Sequence, residues 1–438
     1  MTGGERPSTG KLGLRELIAM GVGGMIGGGI FSVLGLAVGI SGHAAPIAFA
    51  IGSLIALAAG YSYVRLALAY HSDGASFTYL EHAFPAYPNI AGIAGWTMVV
   101  GYVGTLALYA FTFGAYGADL LGVPHSTATR MALSAGVLLF FTVVNLVGTR
   151  ASGIAEDLVV YVKIAMLALF AVAGLTTVRT DYLTPVFDHG AVSPFIAGAL
   201  IFVAFEGFEL ITNAVCETRN PHRTIPRAIY GSIIITTAIY ITLAVVGIGN
   251  LTLDALVAAK EYALAAAAEP VLGEIGVVLV GLAALLATSS AINATAFGAA
   301  RLMAGMATDA RLPVAFSFRD RYDVPWLAVV TLTALALGFT LAGGLEVIAA
   351  FSSMTFLLVS IGVSAANLRL RAKTGSRAGL ISIGLGLMGL TVALLVGHLW
   401  TRQPTSLAWI GAIYAAVITV ELGFSERRVF GRRSVSKS

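Results

Sequence analysis

Gly21-Val22-Gly23-Gly24-Met25-Ile26-Gly27-Gly28-Gly29-Ile30-Phe31 is the stretch that decides the fold of this 438-residue chain. It lies inside the first of many long apolar runs, and six of its first nine residues are glycine. Glycine costs about 1 kcal/mol per helical position relative to alanine. A helix through this stretch is therefore expected to unwind over residues 21–29. Unpaired backbone is tolerated in a bilayer only where protein or a water-filled cavity covers it. The N–H groups that open the half-helix beyond the gap would hold a carboxylate, helped by the helix dipole and by the missing Cβ atoms. The competing reading is close helix packing through small residues such as Gly23 and Gly27.

The rest of the chain fixes the setting. Hydrophobic residues make up 58% and charged residues 11% of the sequence, with a mean hydropathy of +0.88. Soluble domains carry about 25% charged residues. This balance excludes a cytosolic enzyme and a nucleic-acid binder, and the single Cys216 excludes a disulfide scaffold. Twelve apolar runs stand out, at about 15–40, 45–69, 91–119, 130–149, 154–178, 193–215, 227–249, 271–299, 325–343, 346–368, 379–399 and 407–424. Each is continuously apolar over about 20 residues, the length of a membrane helix, whereas barrel strands alternate over about ten. The first run is too long and too broken by glycine for a cleaved signal peptide. The expected fold is an all-α polytopic membrane protein with twelve transmembrane helices.

Lys and Arg orient these spans. With the N-terminus inside, 21 of the 26 basic residues fall in inside segments, four (Arg130, Arg179, Lys260 and Arg402) fall outside, and Lys163 lies within a span. Such a bias places both termini in the cytoplasm and makes the basic charge a matter of topology rather than of nucleic-acid binding.

Span 6 carries the second decisive stretch, Phe202-Val203-Ala204-Phe205-Glu206-Gly207-Phe208-Glu209. An ionisable group at mid-bilayer costs at least about 2.5–3.5 kcal/mol and marks function by default. Glu206 and Glu209 are three residues apart, so an unbroken helix would put them on one face, an arrangement that suits a proton carrier. Glu209 is equally suited to capping loosened backbone. Lys163 sits in span 5 between Leu158-Val159-Val160 and Ile164-Ala165-Met166-Leu167, too deep to snorkel. It reads either as a proton-loading group or as a permanent partner of Glu206 or Glu209.

Spans 1 and 6 thus open two sets of five helices, each with an interrupted first helix. The second helix of each set is followed by a longer connection, residues 71–89 and 250–270. Five is odd, so the second set is inverted, and paired breaks in inverted halves point to a secondary transporter's midplane site. The expected organisation is a cytoplasmic tail (1–13), a first repeat (14–178), a second repeat (193–370), two added helices (379–424) and a basic tail (425–438).

These residues resemble the amino acid–polyamine–organocation superfamily, specifically its prokaryotic amino acid permeases, over about residues 14–424. The resemblance rests on Gly27-Gly28-Gly29-Ile30-Phe31 and on Ala204-Phe205-Glu206-Gly207-Phe208-Glu209. It continues through Glu217, Asn220-Pro221 and Ile225-Pro226-Arg227, then Asn293, Arg301, Asp309 and Leu312-Pro313. It implies a five-plus-five inverted repeat and alternating access around an amino acid site. By that pattern the substrate carboxylate meets the N–H groups of Gly28 and Gly29, beside Gly27. The α-ammonium meets carbonyls of Met25, Val203 and Glu206, and Phe202, Val203 and Phe205 line or gate the pocket. In proton-coupled members a fifth-helix lysine replaces a sodium ion; Lys163 falls there, its amine expected near carbonyls of Gly23 or Ile26 and the hydroxyl of Ser290, with Ser289 as alternate. Val203 stands where some exchangers carry a bulky aromatic gate.

The implied protein is a proton-coupled amino acid symporter of the cell membrane, with protons, amino acids and the lipid bilayer as partners, no cofactor and no enzymatic activity. Exchange without net proton movement is the rival, and a sensor that binds without transport is a further one, disfavoured by the short basic tail after Phe424. Gly384-Leu385-Gly386-Leu387-Met388-Gly389 matches a dinucleotide pattern but lies in an apolar span rather than after a strand. No Walker sequence is present, so ATP is not an expected driver. The seven histidines show no metal-ligand spacing, and oligomeric state is left open. Arg301 and Asp309 suit either a cytoplasmic latch or ordinary loop pairing, and Pro221 and Pro226 are expected to end span 6 and stiffen the turn before span 7.

Overall fold

A computed structural model describes residues 12–71, 75–147, 153–308, 311–320 and 322–430. The expectations for the N-terminal tail through Lys11, for Asp309 and for the basic tail from residue 431 lie outside the described residues. Within them the chain is helical, and its one β-bridge joins Leu12 to Thr218.

The helices, in chain order, are α1 (Leu14–Met25), α2 (Gly29–Ser41), α3 (Ala45–Ala69), α4 (Ala75–Ala83), α5 (Pro88–Leu120), α6 (Thr127–Leu146), α7 (Gly153–Thr177), α8 (Ser193–Leu200), α9 (Leu210–Asn213), α10 (Pro221–Asn250), α11 (Leu253–Ala258), α12 (Ala263–Thr308), α13 (Trp326–Ala342), α14 (Leu345–Arg369), α15 (Arg371–Thr374), α16 (Ala378–Arg402) and α17 (Pro404–Phe430). A 3₁₀ segment, Phe202–Glu209, joins α8 to α9. Among the described residues nine helical stretches are long and apolar enough to cross a bilayer, or ten when the pair around Ile201, bent by 45°, counts as one. The difference from twelve has a plain source. α2 and α3 form one stretch of 41 residues, and α13, with 17 residues, falls short of the length of a full crossing.

Several boundaries move. Pro221 and Pro226 do not end span 6; Pro221 is the first residue of α10, after Asn220 in a left-handed conformation (φ 49°). Proline suits a first helical turn because its missing N–H has no intrahelical partner to lose there. The connection expected over 250–270 is shorter, because α12 already begins at Ala263 and carries Pro270 inside it, with a kink at Gly273 (φ 64°). The connection over 71–89 contains α4, and that over 250–270 contains α11.

The core surrounds the two interrupted helices. α5 packs along α12, α14 and α6, while α10 packs on α3 and α1, and the segment Phe202–Glu209 lies against α1 and α3. Apolar side chains at this centre, including Phe31, Phe49, Phe202, Phe205 and Phe208, are fully buried. Outer faces stay apolar as well: Ile383, Trp400 and Trp409 are exposed on α16 and α17, as lipid-facing surfaces require.

Candidate functional site

The first break is short. α1 runs through Met25 and α2 begins at Gly29, leaving only residues 26–28 outside helical geometry. Unwinding over all of 21–29 is therefore corrected: Gly21, Gly23 and Gly24 are helical and serve packing. A side chain at Gly21 would strike Ile211 and Ser232, and one at Gly23 would strike Val160 of α7. The remaining glycines face the molecule's centre. A Cβ at Gly27 would meet Ala291 of α12, one at Gly28 would meet Tyr109 of α5, and one at Gly29 would meet the Tyr240 hydroxyl and Ala204. The first N–H groups of a helix have no partner within it, so the start of α2 offers donors at this spot. Ser32 ties that turn to α5: its Oγ donates to the Gly28 carbonyl at 2.6 Å and lies 2.7 Å from Thr112 Oγ1.

The second break is longer and built differently. α8 ends at Leu200, and the chain winds as a 3₁₀ helix from Phe202 to Glu209 before α9. A 3₁₀ turn holds three residues, so Glu206 and Glu209 stack in register. Their carboxylates nevertheless part. Glu206 Oε1 accepts from Thr105 Oγ1 of α5 at 3.0 Å, whereas Glu209 Oε1 lies 3.5 Å from Ser360 Oγ of α14. The two breaks touch at Gly207, where an added Cβ would collide with the backbone of Gly24 and Met25.

Lys163 is fully buried on α7. Its Nζ donates to the Gly23 carbonyl at 3.0 Å and to Ser290 Oγ of α12 at 3.4 Å, which ties α7 and α12 to the end of α1. Glu206 takes a hydrogen bond from Thr105 rather than standing free of the scaffold. Ile26 sits at the break with its N–H on the Val22 carbonyl.

Three contributors escaped the sequence reading because nothing in their local pattern sets them apart. Tyr240 of α10 donates to the Met25 carbonyl at 2.5 Å, with the Ala204 carbonyl 3.1 Å away. One hydroxyl thus spans both breaks and engages a carbonyl expected to face an ammonium group. Its ring packs edge-on against Phe205 and Phe49. Ser353 of α14 takes up groups that the second break frees: Val203 N–H donates to its Oγ at 2.9 Å, and that Oγ donates to the Leu200 carbonyl at 2.5 Å. Thr105 is the third, through Glu206. Phe202, Val203 and Phe205 are all buried.

Two other residues singled out in the sequence, Arg301 and Gly384, lie on α12 and α16. Arg301 lies over the Phe297 ring, 4.1 Å from its centroid, while a different arginine, Arg311, pairs with Glu81 at 2.7 Å. Gly384 sits within α16 facing Ala58. Among the described residues no group of three His, Cys, Asp or Glu side chains is arranged to hold a metal.

Two interrupted helices touching at Gly207 inside a bundle of apolar helices define a multi-pass membrane protein whose polar centre lies at the breaks. Residues 12–422 match the family described as Amino acid permease, and the chain belongs to that family. It is 33% identical over 431 residues to an uncharacterised protein of Methanocaldococcus jannaschii, covering 98% of this chain and 99% of the relative. The inner membrane transport protein YbaT of Escherichia coli is 29% identical over 93% of this chain and 95% of its own. The serine/threonine exchanger SteT of Bacillus subtilis is 27% identical, over 75% of each chain. The family is one of membrane transporters rather than enzymes.

Proposed function

We propose that this protein is a secondary active transporter that carries amino acids across the cell membrane by alternating access, coupled to protons through Lys163. We read twelve spans in a five-plus-five inverted repeat with two further helices, both termini in the cytoplasm. The broken α1–α2 and α8–α9 helices open the two halves, and α4 and α11 occupy corresponding connections, which supports the repeat. The substrate carboxylate meets the N–H groups that open α2 at Gly28 and Gly29, and its ammonium meets carbonyls at Met25, Val203 and Glu206. Phe202 and Phe205 close the site.

The observation that carries the coupling is the Lys163 amine on the Gly23 carbonyl at 3.0 Å, one turn from the break. A protonated amine donates to both Gly23 and Ser290 and braces α1 against α7 and α12. Loss of the proton weakens that brace and frees α1 and the second break to rock against the scaffold. Proton and substrate each shift the equilibrium only through their differential affinity for the two access states.

The test is uptake of a panel of labelled amino acids into proteoliposomes, with and without an inward proton gradient, for wild type and Lys163→Ala. Wild type accumulates substrate above the external level when the gradient is applied; Lys163→Ala still binds but only equilibrates. Gradient-driven accumulation by the mutant would remove the lysine mechanism. Exchange is the second reading, favoured by the likeness to SteT. It requires that internal unlabelled substrate, and not the gradient, speeds the entry of label.

A further inference from the structure

α3, α10 and α16 bring arginines to one place far from the breaks. α3 packs on both of the other helices. Its Gly60 lies against Ile229 and Tyr230 of α10, and its Ala58 lies against Gly384 of α16. One turn past Ala58, the Tyr61 hydroxyl accepts the N–H of Arg377, the residue that precedes α16, at 2.9 Å. The Arg65 guanidinium stands over the Tyr61 ring, 5.6 Å from its centroid, and Tyr230 is within electrostatic reach of Tyr61 and Arg65. Arg227, one turn before Tyr230, is exposed, as is Arg377. Among the described residues no ion pair uses Arg65, Arg227 or Arg377.

Along each helix the cation gives way to apolar surface. Leu54, Tyr61 and Arg65 share one face of α3 at helical spacing, and Ile234, Tyr230 and Arg227 share one of α10. On α16, Leu380 and Ile383 follow Arg377. Leu54, Ile234, Leu380 and Ile383 are exposed. Cations at the end, tyrosines next and bare apolar side chains deeper is the order of a bilayer leaflet, with tyrosine at the headgroup level. Arginine at an inner helix end orients a span by itself, but arginines from adjacent helices gathered round Tyr61 and Tyr230 repel one another unless an anion joins them. Guanidinium groups match phosphate oxygens, and basic pockets between membrane helices on the cytoplasmic side hold anionic head groups. A free phosphate would leave the apolar strip uncovered. A second copy docked symmetrically would bring the same arginines to the same place.

We propose that the strip of α3 between α10 and α16 binds an anionic phospholipid of the inner leaflet, its phosphate held by Arg65, Arg227 and Arg377 and its acyl chains laid on the apolar side chains deeper in the membrane. This rests on the orientation proposed above, which puts these helix ends at the cytoplasmic surface, and not on what is transported. The test equilibrates the protein, purified in mild detergent, with mixed micelles of equimolar phosphatidylglycerol and phosphatidylcholine, and quantifies the retained lipid by mass spectrometry after repurification. Wild type should retain phosphatidylglycerol over phosphatidylcholine by about tenfold or more. Arg65→Gln should lower that ratio about fivefold, and replacement of all three arginines by glutamine should bring it to about one. The control is Arg301→Gln: this arginine also stands over an aromatic ring, Phe297, but belongs to none of the three helices, and its loss should leave the ratio unchanged. A wild-type ratio near one, or an equal loss with Arg301→Gln, overturns the proposal. If the triple variant does not elute as a folded protein, Arg65→Gln decides by the same ratio. A change of oligomeric state in Arg65→Gln with the ratio unmoved assigns the strip to a second copy and overturns the proposal as well. Lipid retention requires no transport, so the transport reading stands or falls separately, by uptake.

Discussion

The break between α1 and α2 and the break between α8 and α9 answer the same physical problem with opposite materials. The first spans residues 26–28, is made by glycine, and presents backbone. The second winds through Phe202–Glu209 as a 3₁₀ helix, carries two carboxylates and three phenylalanines, and presents side chains. In the proposed function the first holds the part common to all amino acids, and the second contributes side chains to the same site. Each also borrows partners from the scaffold: Ser32 and Thr112 steady the first, and Ser353 and Thr105 steady the second.

That contrast can be broken most directly at the point where the breaks touch. Gly207→Ala places a methyl group against the backbone of Gly24 and Met25, which no rotamer change relieves. Overpacking costs about 1–3 kcal/mol where side chains can adjust, and more is expected here. The variant should lose both a monodisperse elution profile and uptake. Gly28→Ala meets the Tyr109 ring instead; a ring can shift, so this variant should fold and show a raised KM. Equal behaviour of the two variants would mean that the breaks do not differ as described.

Ser353→Ala probes the second break alone. It leaves the Val203 N–H and the Leu200 carbonyl without their partner. A buried group left unsatisfied costs about 1–3 kcal/mol, and a thermal-shift series in detergent should show a lower midpoint. Survival of the wild-type midpoint would mean that the 3₁₀ segment does not depend on α14. The smallest expected effect belongs to Tyr240→Phe, which keeps the ring contacts with Phe205 and Phe49 and removes one hydroxyl. Its net stability cost is about 1 kcal/mol. The informative measurement is accessibility labelling of the two breaks, which should rise together if this hydroxyl couples them. A rise at one break only would show that they move apart freely.

How much of this was legible in the chain can be argued from single residues. Lys163 and Glu206 stand out because a charged residue in an apolar run is costly wherever it folds, so their depth followed from neighbours in sequence. The glycine run from Gly21 to Gly29 announced a weak helix but not which glycines would yield. Gly21, Gly23 and Gly24 stayed helical because α7, α9 and α10 press against them, and that pressure has no local signature. The connection expected over 250–270 comes out shorter for a similar reason: proline marks a poor helical position, yet α12 carries Pro270 close to a kink. Tyr240, Ser353 and Thr105 look like ordinary residues of membrane helices. Their roles come from hydroxyls delivered across tens to hundreds of residues.

By itself the sequence determined that the chain is a multi-pass bundle with two weak points and a few deeply buried charges. Hydropathy, helix propensity and the cost of burying charge are properties of short segments. Only the tertiary structure decided how narrow the first break is, where the Lys163 amine lands, and that Glu206 turns to α5 while Glu209 turns to α14. Those outcomes depend on which hydrogen-bonding group another helix supplies a few ångströms away, and no stretch of chain encodes its neighbour.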